Sequence, residues 1–305
     1  MIQYIALRLG QSIAVLFIII SLSFFVMKAA PGSPLSQDRQ LDPDIEQMLM
    51  ERYRLDQPVI VQYGWYLRGL VRGDLGQSIR QHAPVSEMVA EAIPYSLLIG
   101  GQALLFAVLL GTLLGLLAGL KQNTGWDYGA MTFAMIGVSI PNFVLGPILI
   151  LLFAAGLGWF NSGGYEAWPD SILPSVSLGL FYTAYIARLT RGGMLEVIRQ
   201  DFIRTARAKG VVERLVVFRH ALRGALLPVV SYLGPASASV LTGSVVIEKV
   251  FNVPGLGTFF VDAAFNRDYF LVLGVIIVYS ALLVVLNLIV DLLYTVLDPR
   301  VSYDD

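Results

Sequence analysis

Asp201-Phe202-Ile203-Arg204-Thr205-Ala206-Arg207-Ala208-Lys209-Gly210 lies inside a block, Arg188 to Arg223, that carries nine Lys/Arg against three acids. Apolar runs too long for an ordinary core strand or helix flank it on both sides. A basic block between two membrane-spanning runs marks a loop on the cytoplasmic side, because positive charge is retained there during insertion. The decapeptide itself reads as a short amphipathic helix. Arg204, Arg207 and Lys209 project from a helix that also carries Phe202, Ile203, Thr205, Ala206 and Ala208. Asp201 is placed to cap it and Gly210 to stop it. The small Ala and Thr side chains let another surface approach closely. Val211 to Phe218 gives a second amphipathic stretch, and Leu227-Pro228 opens the next apolar run, where proline near a helix start costs little. On this pattern alone two readings stand: a docking element for a soluble partner, or a basic linker on anionic head groups.

Composition settles the class. The 305 residues are 56% hydrophobic and 14% charged, with a mean hydropathy of +0.69. A soluble domain carries about 25% charge, so this chain could not cover a globular surface and is an integral membrane protein. The net charge of −1 says little, because asymmetry between loops outweighs the sum. The absence of cysteine excludes disulfides, Fe–S clusters and thiolate zinc sites.

A span takes roughly 20 apolar residues. Six segments meet or approach that length: Ile5–Met27, Ser96–Leu120, Tyr128–Leu157, Leu173–Ala187, Ala225–Val246 and Phe270–Leu297. The first exceeds a signal-peptide core and lacks a small-residue cleavage site, so it is retained. The fourth is short and runs on into the basic block. The expected fold is an all-α polytopic bundle of six transmembrane helices with both termini cytoplasmic. That topology puts 188–224 inside and the Lys/Arg-free loop Gly158–Ile172 outside, as the charge rule asks. The expected organisation is a first span (1–28), an extracytoplasmic loop with short helices (29–95), a five-span core including the basic loop (96–298) and a cytoplasmic tail (299–305). In the first loop Asp42-Pro43-Asp44 opens a helix running to Tyr53, Leu55-Asp56-Gln57-Pro58 breaks it, Val59 to Val71 forms a second, and Gly73-Asp74-Leu75-Gly76 ends that one.

Catalytic signatures are missing. There is no Gly-x-x-x-x-Gly-Lys-Ser/Thr loop to cradle phosphates, no Gly-x-Ser-x-Gly elbow and no His-Glu-x-x-His. His82 and His220 fall in loops on opposite predicted sides. Within the last span Asn287, Asp291, Tyr294 and Asp298 recur at helical spacing. An ionisable residue at membrane depth is a functional candidate, so Asn287 and Asp291 are candidates for the solute path. The structural reading has Asp291 reaching the interface near Asp298-Pro299 or pairing with an arginine of the basic loop. No second intramembrane acid accompanies it, which argues against a proton relay. Pro141 and Gly234-Pro235 interrupt the third and fifth spans, either to line a cavity or for packing. Gly111, Gly115 and Gly119, four apart, suit close helix packing in the bundle core. Pro254-Gly255-Leu256-Gly257 precedes the last span as either a re-entrant turn with a short helix or a surface turn.

Taken together, several strings carry a family resemblance over nearly the whole chain. They are Ala30-Pro31-Gly32-Ser33-Pro34, Leu55-Asp56-Gln57-Pro58, Gly73-Asp74-Leu75-Gly76, Lys121-Gln122-Asn123-Thr124-Gly125-Trp126-Asp127-Tyr128 and Ala187-Arg188-Leu189-Thr190-Arg191. Further on come Phe202 to Gly210, Arg219-His220-Ala221-Leu222, Pro254-Gly255-Leu256-Gly257, Asn266-Arg267-Asp268-Tyr269 and Asp298-Pro299-Arg300. The chain resembles the inner-membrane permease subunits of binding-protein-dependent ABC importers of type I, in particular the B-type subunit of oligopeptide and dipeptide importers. In that family a cytoplasmic Glu-Ala-Ala…Gly…Leu-Pro pattern inserts a coupling helix into a cleft of the ATPase. Ala206, Gly210, Leu227 and Pro228 match it, while Arg204 and Thr205 stand where Glu and the first Ala are common, and Gly210 lies farther from Leu227-Pro228.

The resemblance implies a permease in the bacterial inner membrane. A second, homologous permease would complete the solute path, and two ABC ATPase subunits would dock through Phe202, Ile203, Arg204, Thr205, Ala206, Arg207, Ala208, Lys209, Gly210, Leu227 and Pro228. An extracytoplasmic peptide-binding protein would deliver substrate, with residues 42–71 as part of its docking surface. It implies no catalysis, metal or cofactor in this chain, with ATP and Mg on the partner ATPases, and no role for nucleic acid. The alternative is an autonomous secondary carrier or channel for a small solute. Peptide length, or a substrate such as nickel, is not legible.

Overall fold

The structure is a computed structural model and describes residues 2–30 and 43–297; the side chains of residues 2–7, 9, 43, 45, 46 and 290–297 are outside that description. Pro31-Gly32-Ser33-Pro34, Asp42 and its expected cap, Asp298-Pro299-Arg300 and the tail 299–305 all lie outside the described residues.

The described backbone is helical, apart from turns and an isolated bridge between Gln77 and Pro84. The order begins with α1 (Ile2–Ala29), α2 (Pro43–Arg52), α3 (Val59–Leu70) and α4 (Val85–Leu120). Next come α5 (Gly125–Ser139) and α6 (Asn142–Leu149), which runs on as a π-helical turn, Ile150–Gly156. The 3₁₀ turn Trp168–Ser171 leads into α7 (Ile172–Val197), followed by α8 (Asp201–Ala208) and α9 (Glu213–Leu215). After a second π turn, Val216–Ala221, the chain continues as α10 (Leu222–Ala225), α11 (Leu227–Val250), α12 (Leu256–Phe265) and α13 (Tyr269–Leu297).

Five of these are long and apolar enough to cross a membrane, and a bent pair, 125–139 with 142–156, makes a sixth if taken as one span. The bend is 106° and falls at Pro141. Ile140 sits at φ −102°, ψ 122°, the extended geometry that a following proline imposes, and Pro141 cannot donate the amide that would carry the helix through. Two expected boundaries move outward. The second span starts at Val85 instead of Ser96, because Glu87 in the first turn favours a helix N-terminus and the backbone does not stop where hydropathy falls. The fifth ends at Val250 instead of Val246 and so takes in Glu248.

The chain divides into two compact units, one of residues 1–95 and 254–285, the other of 96–253 and 286–305. In the first, the short helices of the loop are where the prolines put them: Pro43 begins α2 and Pro58 precedes α3. Phe24 of α1, Tyr66 of α3 and Leu273 of α13 form its aromatic core, with Tyr63 and Phe270 packed on it. Asp268 is buried and pins the loop: Ser78 Oγ donates to its carboxylate, as do the amides of Ile79 (3.2 Å), Arg80 (3.3 Å) and Leu271 (3.4 Å). The last of these caps α13. Pro254-Gly255-Leu256-Gly257 leads into the short helix α12 with Leu256 fully buried.

In the second unit α7 is the central element, packed against α5, α6, α10 and α11. α4 lies along it on its glycine edge. A Cβ at Gly111 would stand 2.9 Å from Ile186 Cβ, at Gly115 2.6 Å from Thr190 Cβ, and at Gly119 2.7 Å from Met194 Cβ. Such close approach is possible only without side chains. Leu105, Leu109 and Leu113 of α4 are 59%, 64% and 61% exposed, an apolar stripe suited to lipid and not to water.

Candidate functional site

α8 is amphipathic and held from below. Ile203 is fully buried and Ala206 nearly so, three residues apart on one face. They join Met194 and Val197 from the end of α7, Val216 and Val217 from the π turn, and Ala221 and Ala225. Burying one Ile side chain contributes about 1.5–3 kcal/mol, enough to keep so short a helix, which would not form alone. The other face is free: Phe202 is 47% exposed, and Arg204, Thr205, Ala208 and Lys209 are exposed with it.

The helix starts differently from the sequence expectation. Gln200 occupies the cap position without a side-chain bond, and Asp201 is the first helical residue. There its charge meets the helix dipole, and its carboxylate lies 3.5 Å from Arg204 Nη1 with both groups exposed, a weak pair. The end agrees with expectation. Gly210 has φ +76°, its amide bonds Arg207 O at 2.9 Å, and the Val211 amide bonds Ala206 O at 3.2 Å. These two bonds make a Schellman stop, with Val211 packed on the same core as Ala206.

A bidentate pair fixes the following turn: Arg207 Nε and Nη2 donate to Glu213 at 3.0 and 2.6 Å. Those bonds hold the Glu213 carboxyl below its ordinary range. Thus Arg207 is engaged within the chain, while Arg204 and Lys209 present their charge outward. Leu227 and Pro228 begin α11, both exposed, and are not part of the cluster that seats α8.

A second feature, not foreseen from the sequence, lies between α5 and α7. Arg191 Nε and Nη2 donate to Asp127 at 2.7 and 2.8 Å, and Asp127 also accepts from the Asn123 amide at 2.9 Å. The Asp127 side chain is 2% exposed and that of Arg191 29%. Asn123, at φ +59°, turns its amide back to Asp127 in the first turn of α5.

Besides Asp291, which was expected to have no companion acid in the spans, Glu248 falls within a helix long and apolar enough to span. It is fully buried near the end of α11 and accepts from Ser244 Oγ at 2.7 Å, one turn earlier. Asn287 is exposed on α13; Asp291 lies on the same helix with its side chain outside the described set. Of the two readings of Gly234-Pro235, packing describes Gly234, which is buried, while Pro235 is exposed. It belongs to an open face of α11 with Ser231, Ser239 and Thr242. Next to that face Tyr232 stacks on Tyr185 of α7 at 5.8 Å.

Comparison with known proteins agrees with this architecture. The chain is 48% identical over 306 residues to the oligopeptide transport system permease protein OppB of Salmonella typhimurium, covering 99% of this chain and 100% of that one. It is 41% identical over 303 residues to the dipeptide transport system permease protein DppB of Bacillus subtilis, at 99% and 98% coverage. Among solved structures, an inward-facing MetNI methionine ABC transporter aligns with a TM-score of 0.56 at 18% identity, over 69% of this chain and 96% of that chain. An amino acid ABC transporter with histidines aligns at 0.52 and 17%, over 71% and 95%. Residues 1–99 match the N-terminal region of binding-protein-dependent transport system membrane components, and residues 111–303 match the inner membrane component proper. With both matches and these relatives along its length, the chain belongs to the family of inner membrane components of binding-protein-dependent transport systems.

Proposed function

We propose that this chain is the permease subunit through which an ATP-driven importer passes peptides, and that α8 receives the work of ATP hydrolysis done on partner subunits. The observation that carries the reading is the two-sidedness of α8. Ile203 and Ala206 are spent on holding the helix to its own core, while Phe202, Arg204, Thr205, Ala208 and Lys209 are left outward. A helix seated so firmly transmits displacement; a linker lying on head groups has no need of a buried face or a Schellman stop. The relatives named for oligopeptide and dipeptide transport supply the solute class.

A second permease of the same family would close the path against the open face of α11, where Ser231, Pro235, Ser239 and Thr242 replace the bulky apolar residues that lipid favours. Exposed Asn287, and Asp291 on the same helix, are further candidates for the path. Two ABC ATPase subunits would each take one coupling helix. A peptide-loaded binding protein would dock on the opposite side, with α2 and α3 as part of its seat.

Because the chain has no cysteine, single cysteines report directly. In the assembled importer, Thr205→Cys and Ala208→Cys should be labelled by a maleimide in the ATPase-free permease pair and be shielded when the ATPases are bound. Ile203→Cys should stay unlabelled in both. Equal labelling of positions 205 and 208 with and without ATPase would remove the docking role. Uptake by this chain alone in liposomes, without ATP, would instead establish an autonomous carrier.

A further inference from the structure

The first unit contains a cavity of about 250 Å³ where α1 ends and α13 begins. Its walls are aromatic: Phe24 and Tyr66 stack at 5.6 Å, and Trp65, Tyr269 and Phe270 stand around them. Three cations line it, Lys28, Arg52 and Arg54, against one carboxylate, Asp74, which turns Oδ1 to the Gly76 amide at 2.8 Å. Lys28 is half-buried on the aromatic wall, its Nζ 4.9 Å from the Tyr269 ring centroid and 5.9 Å from that of Phe24. No carboxylate bridges Lys28 or Arg54 among the described residues. A charge drawn out of water without a counter-ion is costly.

Arg54 stands on the same wall. The α2 helix ends in a Schellman stop, with the Leu55 amide on Met50 O at 2.8 Å and the Arg54 amide on Glu51 O at 3.1 Å. Glycine suits the left-handed position of that motif, yet Arg54 occupies it at φ +55°. The strained backbone sets the guanidinium 3.5 Å over the Trp65 ring, on the cavity wall.

We infer that this cavity takes the anionic head group of one phospholipid. Lys28 lies at the end of the apolar span Gly10–Ala29 and Tyr269 opens the span Tyr269–Ile289, so the cavity sits where hydrocarbon gives way to head groups. Lys28, Arg54 and Arg52 would take the phosphate and its anionic substituent. The acyl chains would stay outside the cavity, against Leu22, Phe25 and Val26 on the exposed face of α1. Arginine over an aromatic ring stays charged and keeps donors for phosphate. This site is independent of which solute crosses.

The test uses the assembled importer in nanodiscs and phosphatidylglycerol carrying a photoreactive group on its acyl chain. Cross-linked residues should map to α1 beside the cavity, around Leu22, Phe25 and Val26. A tenfold excess of plain phosphatidylglycerol should abolish labelling, and phosphatidylcholine should not. Lys28→Gln and Arg54→Gln, made separately, should each cut labelling at least fivefold while the complex still assembles, and Lys28→Gln should keep its basal ATP hydrolysis. Equal labelling by a phosphatidylcholine probe, or unchanged labelling in both variants, would overturn the assignment. Displacement of the probe by a peptide with a free C-terminal carboxylate would overturn it in favour of a substrate site.

Discussion

Replacing Asp127 by Asn is the sharpest test of how the second unit is held at its α5–α7 end. The substitution keeps the side chain's shape and its ability to accept from the Asn123 amide, but removes the charge that binds Arg191 through two bonds of 2.7 and 2.8 Å. Exposed pairs are worth about 0.2–1 kcal/mol, and breaking a buried pair by removing one partner costs about 3–5 kcal/mol. Here the carboxylate is 2% exposed but the guanidinium is 29% exposed and regains water when released. The expected loss therefore falls between those limits, at about 2 kcal/mol, a factor of roughly 30 in a local opening equilibrium.

Hydrogen exchange at the Asn123 and Tyr128 amides reads that opening without unfolding the whole protein. Asp127→Asn should raise exchange there by about 10- to 30-fold, and Arg191→Gln by a similar factor. The double variant should be no worse than the more severe single one, because the interaction is lost only once. Strict additivity of the two, or exchange unchanged in Asp127→Asn, would refute the view that this pair joins the helices.

Three further outcomes follow from local geometry. Gly115→Ala drives a Cβ against Ala187 O and to 2.6 Å from Thr190 Cβ, and should cost about 1–3 kcal/mol in thermal stability. Gly101→Ala in the same helix meets nothing within 4 Å and should stabilise by up to about 1 kcal/mol, giving opposite shifts in Tm. Gly210→Ala must hold φ near +76°, so the Val211 amide should exchange about tenfold faster, with Gly210→Asn intermediate. The Glu213 carboxyl is depressed by its bonds to Arg207, so the pair's contribution is complete above the ordinary glutamate value of 4.5 and is lost as pH falls through the lower folded value. With side chains 41% and 59% exposed the contribution is only about 0.2–1 kcal/mol, so exchange in the 210–215 turn should rise less than about fivefold on acidification, and Glu213→Gln should abolish the pH dependence.

What could be read from the chain divides by range. The stop of α8 was legible because a glycine after a basic turn has one common use, and the starts of α2 and α3 because Pro43 and Pro58 permit little else. Hydropathy located the spans but not their ends: it fails at Glu248-Lys249, where the helix runs on to Val250 with the acid buried and bonded to Ser244 one turn back. Pro141 announced a break, but its 106° angle depends on what α5 and α6 each pack against, and both pack on α7. Asp201 was misassigned by one position, since the cap is decided by the extended backbone of Gln200 and not by the better side chain next to it. The Asp127–Arg191 pair spans 64 residues, and no local pattern chooses among the chain's arginines for a partner at that distance.

That pair also bears on how force entering at α8 would be distributed. Ile203 and Ala206 bear on Met194 and Val197, so displacement of α8 acts first on the end of α7. α7 packs closely on α4 there, since neither Gly119 nor Gly115 leaves room for a Cβ against Met194 and Thr190. It cannot part from α5 without stretching the Arg191–Asp127 bonds at the same level. The three helix ends nearest α8 must therefore move together. The first place along α5 where the backbone can yield is Ile140-Pro141, which lacks a continuing helical bond. Removing that compliance while leaving α8 intact, by Pro141→Ala, should preserve ATPase docking and slow transport, whereas loosening Asp127–Arg191 should leave both docking and the bend in place and uncouple hydrolysis from uptake. If Asp127→Asn and Pro141→Ala instead gave the same phenotype, the displacement would not be passing through α7 to α5 in that order.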